Sequence, residues 1–186
     1  MGGFKIKADE LQWITGAADD PKDLCLHGRV TVQFGDTVLE DYGTVSATAL
    51  YLLKTLREDK RMAPYDIQMI PCCGHFLIAN NELTEVQISG CDKGTDWSTI
   101  HEGNTVRLIL PSGQEEVVTL REYQYEVLDF ARQIKRFYDG CTPKELPENE
   151  FDRNGYTAFW NEWQRRYNEG VKLLSLETGR KQSVSN

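Results

Sequence analysis

Residues 105–139 read TVRLIL-PSGQ-EEVVTL-REYQYEVLDFARQIKRFYD, a strand pair that runs directly into a helix. Two β-branched runs flank Ser112-Gly113, residues that tolerate unusual backbone angles, so a β-hairpin is predicted there. Thr119 and Glu122 then have capping-box spacing, in which each side chain satisfies the other's backbone N–H. Tyr123, Val127, Phe130, Ile134 and Phe137 recur in steps of four and three, an unbroken apolar stripe. Gly140 and Pro143 stop it. A stripe of this kind needs a surface to cover, and the strands before it supply one.

The rest of the chain follows the same grammar. In LCLHGRVTVQF, Leu24, Leu26, Val30, Val32 and Phe34 alternate against Cys25, His27, Arg29, Thr31 and Gln33. Gly35-Asp36 fits a two-residue hairpin turn leading to TVLEDYGTV. Ser46 is the expected N-cap of a helix whose stripe is Ala49, Leu52, Leu53 and Leu56, with Pro64 ending it. From 65 to 120 the pattern is short strands, YDIQMI, HFLIA, EVQIS, TVRLIL and EEVVTL, with residues 90–104 as a loop. The first twenty residues offer Phe4, Leu11, Trp13 and Ile14 for docking. CTPKELPENEFDRNG reads as a linker. Beyond it Tyr156, Phe159, Trp160, Trp163 and Tyr167 form one aromatic side of a helix, which predicts docking on its own domain rather than an exposed groove.

Strands first, one helix among them, then two helices: the order predicts an α+β fold. The expectation is a meander-like antiparallel sheet with both C-terminal helices packed on one side. Residues 1–140 form the α+β domain, 141–178 a helical extension docked on it, and 179–186 a disordered polar tail. A length of 186 residues suffices for one buried core.

Charge and cysteine usage bear on function. Lys plus Arg total 21 against 29 for Asp plus Glu, a net charge of −8. An acidic surface disfavours nucleic acid and anionic membrane, both of which need phosphate neutralised. It suits a basic protein partner. Five cysteines and no apolar leader point to reduced thiols in the cytoplasm. The myristoylation pattern fails at Ile6, and Lys54 interrupts the most apolar run.

Two stretches invite chemistry. Cys25 with His27, and Cys73 with His75, would each share a strand face, and together they would supply a tetrahedral zinc set. Their spacing is not that of a zinc knuckle, and Gly74 suggests a bend. Small buried cysteines at a turn after Pro71 are the preferred reading, with a metal or thiol enzyme at Cys25, His27, Cys73 and His75 as the alternative. The second stretch is 90–104, where Asp96, Trp97, His101 and Glu102 form a candidate binding surface. A third surface is acidic: Glu145, Glu148, Glu150 and Asp152. The P-loop, G-x-G-x-x-G, H-E-x-x-H, G-x-S-x-G and EF-hand signatures do not occur, and no metal or cofactor is expected.

In size, charge and missing motifs the chain resembles small acidic bacterial cytosolic proteins that act by binding, toxin-immunity proteins among them. That resemblance implies a non-catalytic role with a protein partner. The 140–155 loop also allows a homodimer with a swapped C-terminal helix.

Overall fold

In the computed structural model, which describes residues 3–16, 19–64, 66–72, 76–90 and 93–182 (without side chains from 176 onward), strand structure begins at once. FKIKADELQW forms β1 (Phe4–Trp13), its alternate residues Phe4, Ile6 and Ala8 buried. From sequence this stretch offers only docking residues. Its alternation becomes a strand because β2 (Leu26–Phe34) lies antiparallel beside it, with Phe4 opposite Phe34. β3 (Thr37–Thr44) completes a three-stranded meander. The expected turn joins β2 to β3, with Gly35 at φ +60°. Residues Leu26, Val30, Val32 and Phe34 are buried as the alternation requires.

In helix α1 (Val45–Lys54) the N-cap position is Thr44 rather than Ser46, without a side-chain capping hydrogen bond, and the helix ends at Thr55, well before Pro64. Thr48 Oγ1 donates to the Thr44 carbonyl at 3.1 Å. The helix is enclosed almost all round, Val45 through Leu50 all being buried, so the expected single stripe understates its burial. It is the centre of the core, with the meander, both later helices and the short strands about it.

Between 55 and 120 the strands are shorter than their sequence pattern suggests. β4 is Ile70–Pro71, β5 Phe76–Ala79 and β6 Val86–Ser89. Residues 90–104 are not one loop: they hold β7 (Gly94–Thr95) and β8 (Ser98–Glu102). With β9 (Thr105–Ile109) and β10 (Glu115–Thr119), β8 makes a second meander, while β4–β7 and β5–β6 are two-stranded ribbons. Among the described residues the predicted sheet is thus divided into two meanders and two ribbons, all antiparallel. The hairpin at Ser112-Gly113 forms as expected, Gly113 at φ +84° and Ile109 opposite Glu115.

The capping box at Thr119 and Glu122 is present in both directions and starts α2 (Leu120–Asp139), closed by Gly140. Tyr123, Val127, Phe130 and Ile134 are buried, with Phe137 packed at the margin. Gln133 on this helix caps the open edge of β1. Its Oε1 accepts from Ala8 N at 3.2 Å and its Nε2 donates to Ala8 O.

Helix α3 (Glu150–Gln182) is longer at both ends than the aromatic segment suggests. Its Tyr156, Phe159 and Trp163 are buried against the same chain, the docking the aromatic stripe predicts. The helix also covers the β5–β6 ribbon. Gly155 sits so close that a Cβ there would lie 2.1 Å from the Leu77 carbonyl oxygen. Two turns on, the Glu162 carboxylate accepts from Val86 N at 2.8 Å, and Lys54 Nζ donates to Val86 O at 3.1 Å. These two side chains take the place of a neighbouring strand on the β6 edge. The fold is therefore α+β with antiparallel sheets, one internal helix and two C-terminal helices.

Candidate functional site

Two segments distant in the chain are fastened together at one end of the molecule. In the first, the buried Asp23 carboxylate accepts from Thr15 N at 2.8 Å and Cys25 N at 3.2 Å, which ties Thr15 to the Asp23–Cys25 stretch. In the second, Lys144 reaches back to donate to Asp20 O at 2.8 Å, with its ammonium 3.3 Å above the Trp13 ring. Glu145 N donates to Pro21 O at 2.9 Å and Thr142 N to Asp19 Oδ2 at 2.6 Å. Arg153 completes the second wall, its guanidinium donating to the Glu148 carbonyl at 2.8 Å.

Between these walls lies a cleft of about 510 Å³. Tyr156 and Phe159 from α3 line it, with Ser46 at the start of α1 and Phe76 and Leu77 from β5. Ile14, Leu24, Cys25 and Pro147 contribute from the two loops, and Asp20, Lys22, Asp23 and Asp152 supply charge. Two large apolar side chains stand open to solvent at its edge: Phe76 is 65% exposed and Ile14 58%.

Burial raises the Tyr156 and Tyr138 hydroxyls above the usual tyrosine range, so both stay protonated at neutral pH. Asp19 is held below the ordinary carboxylate value of 3.8, first by the Thr142 backbone N–H and then by its side chain, with Lys144 adding to both. Two carboxylates elsewhere behave alike. Asp59 is lowered chiefly by the His101 backbone N–H, and Glu122 by its hydrogen bonds with Thr119.

All three folded values lie below the unfolded ones. Their stabilisation is therefore complete above the unfolded values and disappears as pH falls through the folded ones. Thermal melts should show a midpoint that holds from about pH 7 to about pH 5 and drops progressively below about pH 4. A decline beginning near pH 6 would point instead to a histidine.

Of the predicted surface residues, only Asp152 lines the cleft. Glu145, Glu148 and Glu150 are exposed beside it, although Glu150 and Asp152 lie in the first turn of α3 rather than in a loop. The 90–104 set is placed elsewhere and is largely used by the fold. Asp96 accepts from Lys60 Nζ at 2.7 Å and from Met69 N at 3.0 Å. Trp97 is fully buried against Phe34, their ring centroids 5.3 Å apart. His101 is bound to Asp59 through its backbone N–H at 2.9 Å and its ring Nδ1 at 3.1 Å, and Glu102 pairs with Arg107 at 2.6 Å. Together Asp96, Ser98 and His101 hold Met69, Met62 and Asp59 in place.

The Cys/His set divides. Cys25 lines the cleft just ahead of β2. His27 is buried in β2, its Nδ1 3.2 Å from the Cys25 carbonyl oxygen and its Nε2 3.3 Å from Thr44 Oγ1. Cys73 and His75 lie outside the described residues, and so does their meeting with Cys25. Among the described residues no group of three or more His, Cys, Asp or Glu gathers as a metal site. Among the described residues no helix is long and apolar enough to cross a membrane.

No family model, no curated protein and no solved structure matches this chain. Sequence reasoning missed Ile14, Phe76, Tyr156 and Phe159 as lining residues. One signal was legible. HFLIA is apolar on both faces, so a strand there needs a cover on each side. Helix α3 covers Leu77 and Ala79, while Phe76 and Ile78 remain exposed.

Proposed function

We propose that this chain is a non-catalytic protein-binding protein that works in the reduced cytoplasm and docks its partner at the cleft beside α3. The open apolar edge carries this reading. Phe76 and Ile14 are exposed at the cleft, and the apolar surface continues past it through Ile78. Leu146 and Phe151, neighbours in sequence of the lining residues Pro147 and Asp152, are 57% and 49% exposed. Exposed apolar residues gathered around a concavity mark an interaction surface more often than isolated ones do. The acidic composition suits a basic partner, and neutralising a basic toxin is one role of this type.

The test is partner capture from an extract of the source organism, comparing the native chain with two substitutions. Phe76→Asp should lose the captured protein. Val117→Asp, at another exposed apolar position, on β10, should retain it. A partner that Phe76→Asp still captures at native level would sink the assignment.

A further inference from the structure

We infer that the cleft takes a partner segment in which a large apolar side chain is flanked by arginine or lysine. This rests on the reading above, that the cleft docks a protein, and adds the chemistry of what enters. Two cations near the cleft, Lys144 and Arg153, are turned inward. The Lys144 side chain is only 6% exposed, above Trp13 and beside Asp19 at 3.6 Å. Arg153 is committed to the carbonyls of Pro147 and Glu148. Lys22 is the lysine or arginine left exposed among the described lining residues.

The anions point the other way. Asp152 is exposed in the lining, and Glu145, Glu148 and Glu150 are exposed along the same wall. The fold thus commits Lys144 and Arg153 to the walls and leaves a rim in which exposed carboxylates outnumber the one exposed lining lysine, Lys22, around an apolar floor of Phe159 and Leu77. A volume of about 510 Å³ falls within the range of ligand pockets and exceeds what one small side chain fills. An apolar anchor would enter the floor, and a flanking guanidinium or ammonium would meet the rim, where attraction also speeds encounter.

Three synthetic hexapeptides test this against the isotope-labelled full chain, with amide chemical shifts and fluorescence polarisation as readouts. One carries Leu-Trp between arginine pairs, the second Leu-Trp between glutamate pairs, and the third Ser-Ser between arginine pairs. The expected result is binding of the first, with shifts at Ile14, Phe76 and Asp152. Affinity for the other two should be at least about tenfold lower, a difference of about 1.4 kcal/mol. Its affinity should fall as salt rises, and Glu148→Lys with Asp152→Lys should weaken it without altering the circular dichroism spectrum.

Equal binding of the glutamate peptide would overturn the charge inference and leave cleft docking standing. Equal binding of the Ser-Ser peptide would overturn the apolar anchor. If none of the three perturbs the cleft at ~1 mM, the docking assignment falls together with the inference.

Discussion

Replacing Glu162 by alanine should destabilise the protein by about 3–5 kcal/mol, the cost of stranding buried charges when one partner is removed. The side chain is completely buried on α3 and is shared by three elements. One oxygen accepts from Val86 N at 2.8 Å. The other lies 2.7 Å from Arg166 Nε and 3.2 Å from Lys54 Nζ at the end of α1. Arg166 continues the network to Glu58 at 2.6 Å. Burial opposes the Arg166 charge, and its hydrogen bonds with Glu58 and Glu162 outweigh that, so its pKa is raised overall. Alanine would take the Glu162 carboxylate from Lys54, leave Arg166 with Glu58 alone, and leave Val86 N without its acceptor. Glu162→Gln keeps an acceptor but not the charge, and should fall between native and alanine. Urea unfolding checks this through a lowered midpoint at unchanged m-value. A loss under about 1 kcal/mol would mean that water enters to solvate the pair.

The second large effect runs against helix propensity. Gly→Ala inside a helix normally stabilises by up to about 1 kcal/mol. At Gly155 it should destabilise by about 1–3 kcal/mol or more, because the new methyl would meet backbone that cannot swing aside. It would stand 2.1 Å from Leu77 O and 2.7 Å from Leu77 Cβ. Two other glycines calibrate the result. At Gly170 the Cβ would meet side-chain ends, Leu56 Cδ1 at 2.7 Å and Leu128 Cδ2 at 2.9 Å, which can rotate away. At Gly140 the nearest atom is 3.5 Å off and φ is −87°, so alanine should be nearly neutral. The expected order of destabilisation is Gly155, then Gly170, then Gly140. Because Leu77 lines the cleft, Gly155→Ala should also displace its wall and weaken binding there. An unchanged melting temperature for Gly155→Ala would mean that α3 can lift from β5 without loss.

What could be read before folding was local. The turn at Gly35, the hairpin at Gly113, the capping box at Thr119 and the α2 stripe all depend on residues within a few positions of one another. Each is set by backbone sterics or a short hydrogen bond, and each appears as expected. Apart from the two ends of α1, the stretches misread were those whose conformation depends on a distant partner. FKIKADELQW is a strand because β2 and Gln133 satisfy its two edges. Trp97 is buried against Phe34, and Asp96 is held half-buried by its pairing with Lys60, which draws a polar, turn-rich stretch into the fold.

The cleft belongs to the second class. Its walls are joined by hydrogen bonds between positions up to 124 apart, such as Lys144 to Asp20. Nothing within 14–25 or 141–153 alone shows that one will close on the other. The same holds for Glu162. On the sequence it is a polar residue between two aromatics, and only the arrival of Val86 and Lys54 makes it an interior carboxylate. Sequence alone determined the elements whose hydrogen bonds and steric limits are satisfied nearby. Tertiary structure decided which charges are buried and which apolar side chains stay exposed, because burial depends on surfaces that meet only after the chain has closed on itself.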